Sequence, residues 1–120
     1  MPAARVDYRI VAVERNGLWV AHATHADTGR RFGIEASGRT ERDATDRLTR
    51  WLTWQSDHAA ALDALQEAER TYHRTVAGRA FRAVAGDTEN TGERQQSLDT
   101  LEDARRTLDR VRARRPEIHG

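Results

Sequence analysis

The 120-residue chain lacks residue types that define whole classes of protein. It has no cysteine, which excludes disulfides, thiolate catalysis and zinc sites with cysteine ligands. No apolar run approaches the roughly 20 residues needed to cross a bilayer, and the first residues lack the hydrophobic run of a signal peptide. These absences predict a cytoplasmic protein with no membrane partner and no cofactor bound through cysteine.

Lysine is also absent, so arginine supplies all 20 basic side chains, against 19 acidic ones. The formal net charge of +1 gives no overall basic surface of the kind that attracts nucleic acid. Basic and acidic residues are interleaved along the second half of the chain, which is typical of solvated helix surfaces. At this length we expect residues 1–120 to form a single domain.

The first third of the sequence predicts a three-stranded antiparallel meander. Three stretches, at 6–15, 18–25 and 31–36, alternate in the manner of strands and are separated by turn sequences. Asn16-Gly17 is typical of a type I′ hairpin, because both residues tolerate a positive φ. Asp27-Thr28-Gly29 indicates a three-residue loop whose glycine is left-handed.

These turns fix the register, and the register fixes the faces of the sheet. The predicted core face carries His22 and seven apolar side chains, namely Val11, Val13, Leu18, Val20, Phe32, Ile34 and Ala36. The opposite face carries a second apolar group, Tyr8, Ile10, Trp19, Ala21 and Ala23, with Ala12 and His25 beside it. One helix covers only one face, so either the C-terminal hairpin folds back over this second group or another chain covers it; we expect the second group to be the candidate interface of a homodimer.

The remaining sequence predicts helices. Thr40-Glu41-Arg42-Asp43 resembles a capping box, and the helical stripe that follows consists of Ala44, Leu48, Trp51, Leu52 and Gln55. No glycine or proline interrupts residues 40–77, which favours one long helix; alternatively, Ser56 or Asp57 caps a new one. Gly78 is expected to end this helix.

A last helix is expected from Glu93 to Arg115, before Pro116. Its narrow apolar seam consists of Leu98, Leu101, Ala104, Leu108 and Val111, and the preceding helix carries a similar seam at Leu62, Leu65, Ala68, Tyr72 and Val76. Such seams predict an antiparallel hairpin. The expected fold is therefore α+β: a three-stranded antiparallel meander packed on a long helix (6–56), followed by an antiparallel helical hairpin (57–115) with a connecting loop at about 78–92.

No residue pattern predicts a catalytic, cofactor or metal site. His22 and His25 point to opposite faces of one strand, and neither His58 nor His73 has the spacing of a metal-binding helix. No carboxylate pair and no phosphate-binding glycine loop stands out. We therefore expect a non-enzymatic protein. A candidate basic patch at the end of the last helix, Arg110, Arg112 and Arg114, either complements the helix dipole or binds nucleic acid or an acidic partner.

The segment Gly38-Arg39-Thr40-Glu41-Arg42-Asp43-Ala44 follows three predicted strands and opens a helix. In this respect residues 6–56 resemble the HicB-like βββα module of antitoxins, in which a Gly-x-Thr-x-x-x-Ala transition often stands at this place. The segment with proline and glycine that usually precedes the third strand is missing, and a helical hairpin replaces the DNA-binding domain. The order of elements is also similar to a double-stranded-RNA-binding domain without its first helix. The resemblance implies a small binding module, and makes a nucleic-acid-binding or antitoxin-like regulator the alternative to a homodimeric interaction protein.

Overall fold

The computed structural model describes residues 7–84 and 91–119, without the side chains of 79–84 and 91. Three strands, β1 (Tyr8–Arg15), β2 (Leu18–His25) and β3 (Arg31–Gly38), form an antiparallel sheet in the order β1-β2-β3. Two helices follow, α1 (Glu41–Val84) and α2 (Thr91–Ala113). The predicted α+β fold, with a meander, a long helix packed on it and a second helix, is confirmed.

The first hairpin has the predicted register. Arg15 pairs with Leu18, and the pairing continues without interruption along both strands. Asn16 and Gly17 have φ values of 54° and 81°, as a type I′ turn requires. The two-residue turn therefore sets which side chains of β1 and β2 share a face.

The second hairpin departs from the predicted register. Its loop is one residue longer, since His25 pairs with Arg30: the His25 N–H donates to the Arg30 carbonyl at 2.9 Å. Thr24 consequently lies opposite Arg31 rather than Phe32. A bulge follows in β3 at Gly33, whose φ of 74° suits glycine.

The longer loop exchanges the two faces of β3. Phe32 lies opposite Ala23, and Ala36 opposite Ala21, so both β3 residues share a face with the alanines of β2 and not with its valine. We call this the alanine face. The predicted assignment of faces is therefore wrong, because α1 packs on the alanine face, which holds the candidate interface.

Small side chains explain why the helix takes the alanine face. Ala21, Ala23 and Ala36 of the sheet are fully buried, together with Ala44 and Leu48 of α1. Alanines let a helix backbone approach the sheet closely, and Leu48 fills the remaining space. The partly buried residues around this core are Ile10, Ala12, Trp19, Phe32, Ile34, Leu52 and Ile118.

The helix α1 begins where the capping sequence predicts and ends later than expected. The Thr40 Oγ1 accepts a hydrogen bond from the N–H of Asp43 at 3.0 Å, as a capping residue does. The helix is continuous through Ser56, which confirms the single long helix. Gly78 does not end it, because a glycine costs a helix interior only about 1 kcal/mol. Residues 78–84 of the expected loop are therefore helical, and 85–90 lie outside the described residues.

The chain divides into two compact units, unit 1 (Met1–Trp54 with Arg115–Gly120) and unit 2 (Gln55–Arg114). Whether they form a single domain remains a prediction. In unit 2, contacts of Thr75 with Ser97 and of His58 with Arg112 show that α1 and α2 run antiparallel. The buried residues of this unit are Ala61, Ala68, Leu101, Leu108 and Val111. The predicted seam of α2 is thus confirmed at its centre, whereas Val76 of α1 is exposed.

Candidate interaction surface

The sheet face opposite the alanine face carries exposed aliphatic side chains, and we call it the valine face. Val11, Val13 and Leu18 are 41%, 40% and 41% exposed and lie on the adjacent strands β1 and β2. Single exposed apolar residues are common, whereas a group of them on one face makes that face a candidate contact surface.

Charged side chains border the valine face along β3. The Glu35 carboxylate lies 2.8 Å from the Arg31 guanidinium and 3.5 Å from that of Arg15, which belongs to β1. All three side chains are about half exposed, so these ion pairs contribute little to stability. They give the aliphatic group a polar rim, as protein interfaces commonly have.

The C-terminal segment and α1 cover the outer edge of β3 at Ser37. The Ser37 N–H donates to the Ile118 carbonyl at 2.9 Å, and the Ser37 carbonyl accepts a hydrogen bond from Arg47 at 2.8 Å. The Ile118 side chain packs against the core. Nearby, the Arg115 guanidinium lies over the Trp51 ring at 5.1 Å from its centroid, a cation–π contact. The sequence pattern does not predict the contact of this segment with β3, since its only signal is an isolated isoleucine after Pro116.

The outer edge of β1, by contrast, is open among the described residues. The Asp7 carbonyl accepts a hydrogen bond from Ala26, so the backbone groups of odd-numbered residues point towards β2. Those of the even-numbered residues, Tyr8, Ile10, Ala12 and Glu14, therefore point outwards. The strand contains no proline and no bulge, two devices that normally protect an edge from pairing.

The residues of the predicted candidate interface do not form a free surface. Ala21 and Ala23 are fully buried beneath α1, and Ile10 and Trp19 pack against the same core. Tyr8 is the exposed member, and its ring meets Phe32 edge-on at 6.0 Å. The structure therefore moves the available surface to the valine face and to the edge of β1.

The histidines are dispersed. His25 stacks on Phe32 at 4.4 Å between ring centroids, whereas His58 accepts a hydrogen bond from Arg112 and His73 lies against Tyr72. Within residues 7–84 and 91–119, no three histidine, aspartate or glutamate side chains are grouped as a metal site requires.

Unit 2 contains a cavity of about 500 Å³ between α1 and α2. Its lining is mostly polar and small: Ala64, Glu67, Ala68, Thr71, Thr75, Glu93, Gln96, Ser97 and Thr100. The Arg70 hydrogen bond and charge hold the pKa of Glu67 below its ordinary value, with a smaller effect from Arg74. The cavity thus offers the ionised Glu67 carboxylate and several hydroxyl groups, and its lining includes no histidine or lysine that would act as a proton donor.

The candidate basic patch lies exposed on unit 2 near the end of α2. Arg110 donates a hydrogen bond to the Thr107 hydroxyl at 3.2 Å, and Arg112 donates to the His58 ring at 3.4 Å. These partners are not carboxylates, so the two contacts leave the arginine charges unneutralised. Arg114 is exposed one helical turn beyond Arg110.

No helix in the described part of the chain is both long enough and apolar enough to span a membrane. Comparison with known proteins found no matching family model, no similar curated protein and no similar solved structure. The resemblance of residues 6–56 to the HicB-like module therefore remains a prediction.

Proposed function

We propose that the protein is a non-enzymatic interaction protein that acts as a homodimer. The observation that supports this best is the coincidence, on β1, of an open backbone edge and exposed valines. The outer edge of β3 is less regular, because Ile118 and Arg47 occupy the backbone groups of Ser37 and a bulge interrupts the strand at Gly33. β1 therefore presents both hydrogen-bonding groups and apolar surface to one partner.

A second copy of the chain is the partner that fits this strand most directly. Two-fold dimers are the commonest oligomers, and they need only one self-complementary surface. An antiparallel pair of identical edge strands satisfies this condition, since each copy supplies the donors and acceptors that the other lacks. Pairing also removes the exposed edge, which otherwise favours uncontrolled aggregation.

Sedimentation velocity from low to high micromolar concentration tests the proposal. We expect the wild-type chain to form a discrete dimer. The Val11→Glu variant should remain monomeric, because pairing along β1 would bury a charged carboxylate from each copy in the middle of the paired strands. Ala60→Glu adds the same charge at an exposed position of unit 2 and should leave the dimer intact. A wild-type protein that stays monomeric at high micromolar concentration would contradict the proposal.

The alternative function is that of a nucleic-acid-binding or antitoxin-like regulator. The unneutralised charges of Arg110 and Arg112 favour it. Changing Arg110, Arg112 and Arg114 together to glutamine should lower affinity for duplex DNA or RNA and reduce the slope of log K against log salt by about 2–3. The control changes the exposed Arg39, Arg42 and Arg50 of unit 1 in the same way. If both triple variants lose the same affinity for nucleic acid, the basic patch has no specific role in binding.

A further inference from the structure

We infer that two copies pair along β1 in a single antiparallel register, in which Val11 of one copy faces Val11 of the other. The inference rests on the homodimer proposed above and specifies its contact. It follows from the direction of the backbone groups of β1, the distribution of charge along that strand, and the position of α1 on the sheet.

Symmetry restricts the possible registers. A two-fold axis perpendicular to the sheet places the valine faces of both copies on the same side. Residues that oppose each other across an antiparallel pair also point to the same side, so an odd-numbered residue must face an odd-numbered one. Registers that use nearly all of β1 are therefore centred on Val11 or on Ala12.

The charges at the ends of β1 distinguish these two registers. With Val11 at the centre, Asp7 lies opposite Arg15 of the second copy, and the axis repeats this pair of opposite charges. With Ala12 at the centre, Arg9 lies opposite Arg15 of the second copy, also twice. Like charges directly opposite each other destabilise a sheet, so the register centred on Val11 is favoured.

The backbone favours the same register. Centred on Val11, it pairs Ile10 with Ala12 and Tyr8 with Glu14 of the second copy, and each pair exchanges both N–H···O bonds. All the outward-facing backbone groups of β1 are then used. Centred on Ala12, Tyr8 falls opposite Asn16, which belongs to the turn and has a φ of 54°.

The position of α1 leaves this edge accessible within unit 1. The fully buried sheet residues belong to β2 and β3, whereas Ile10 and Ala12 of β1 are only half-buried. Pairing places Ile10 of one copy beside Ala12 of the other and so extends the alanine-face core across the axis. On the other side, the two Val11 side chains contact each other across the axis and are partly removed from water.

Single-cysteine variants test the register directly, because the chain has no cysteine of its own. In the inferred dimer Val11 forms a non-hydrogen-bonded pair with its counterpart, with Cα atoms about 4.5 Å apart. A disulfide accepts Cα separations of about 4.4–6.8 Å, so Val11→Cys should become a covalent dimer under mild oxidation with diamide. Val13→Cys is the matched control: it is equally exposed on the same face, but its counterpart lies about 13 Å away along the strand.

The expected result is a covalent dimer for Val11→Cys and a monomer for Val13→Cys on a non-reducing gel. Equal cross-linking of the two variants would instead indicate a dimer formed face to face, and would overturn the inferred register. Centred on Ala12, residue 11 of one copy would face residue 13 of the other. Cross-linking only in a mixture of the two variants would therefore indicate that register and would also overturn the inference. If the wild type is dimeric but neither variant cross-links, the register is wrong and the proposed homodimer stands; a monomeric wild type removes both.

Ala12→Pro tests the same edge without cysteine chemistry. The Ala12 N–H points outwards, so its loss removes no bond to β2, and proline is tolerated in this position of an edge strand. In the inferred dimer, however, it removes a hydrogen bond to Ile10 of the second copy on each side of the axis. We expect loss of the dimer in sedimentation with retained cooperative unfolding; a folded Ala12→Pro dimer would overturn the inference.

Discussion

Both faces of the sheet carry apolar side chains, yet among the described residues only one face is buried. The alanine face lies under α1, with Ala21, Ala23 and Ala36 fully buried. The valine face also carries aliphatic side chains, but Arg31 and Glu35 border it, and Val11 and Val13 stay exposed. The alanine face combines small alanines with the larger Ile10, Phe32 and Ile34, so α1 covers the face that allows both close approach and apolar contact.

The largest difference in stability between the two faces is expected when a leucine at each face is replaced by alanine. Leu48→Ala leaves a cavity under the alanine face and should reduce the free energy of unfolding by about 2–5 kcal/mol. Leu18→Ala is its matched control on the valine face, where the side chain is 41% exposed and leaves no enclosed cavity, and should cost about 1 kcal/mol. Urea denaturation at low concentration of the protein measures both. If Leu48→Ala and Leu18→Ala lower the free energy of unfolding equally, the valine face is as well packed as the alanine face.

Gly38→Ala should have the next largest effect. A Cβ at this position would lie 2.7 Å from the backbone nitrogen of Ala44, so the start of α1 would have to move away from the sheet. Overpacking of this kind typically costs about 1–3 kcal/mol. An unfolding free energy equal to that of the wild type would show that α1 is held less closely than the structure indicates.

Gly33→Ala tests the bulge that accompanies the altered register of β3. A Cβ there meets no atom within 4 Å, so the cost comes only from the positive φ and should be about 1–2 kcal/mol. Gly33→Asn should cost less than Gly33→Ala, because asparagine visits this conformation more readily. Urea denaturation of the two variants distinguishes backbone strain at the positive φ from steric contact of the new side chain. If Gly33→Asn lowers the free energy of unfolding more than Gly33→Ala, steric crowding is the cause instead.

The smallest effect is expected at the valine face itself. Val13→Thr keeps the shape of an exposed β-branched side chain, so the free energy of unfolding should stay within about 0.5 kcal/mol of the wild type. Ala21→Thr, on the alanine face, adds buried atoms and a hydroxyl group beneath α1 and should be clearly destabilising. If Val13→Thr and Ala21→Thr change the free energy of unfolding equally at low protein concentration, the two faces do not differ in how tightly they are packed.

The parts of the fold that follow from local chemistry were predictable from the sequence. Asn16-Gly17 fixed the first hairpin, and the Thr40 cap with uninterrupted helical sequence fixed the start and continuity of α1. The register of β3 was not predictable, because the second turn holds one more residue than its glycine suggests and Gly33 then bulges. The one-residue difference in the loop puts Phe32, Ile34 and Ala36 of β3 on the face that holds the candidate interface, and α1 covers that face.

Long-range contacts were not predictable in the same way. Nothing near Ile118 indicates that it pairs with Ser37, which lies far away in sequence. Likewise, Gly78 had the local character of a helix end, but α1 continues through it. Local signals therefore located the elements, whereas the choice of faces and edges depended on packing between distant residues.

The distribution of tryptophan has a practical consequence for spectroscopy. Trp19, Trp51 and Trp54 all belong to unit 1, whereas most residues of unit 2 are helical. Intrinsic tryptophan fluorescence therefore reports the sheet and the first turns of α1, while ellipticity at 222 nm reports mainly the helices. If the two signals change at the same denaturant concentration, the long helix transmits unfolding from one unit to the other; if they separate, the helix melts locally and the units are energetically independent.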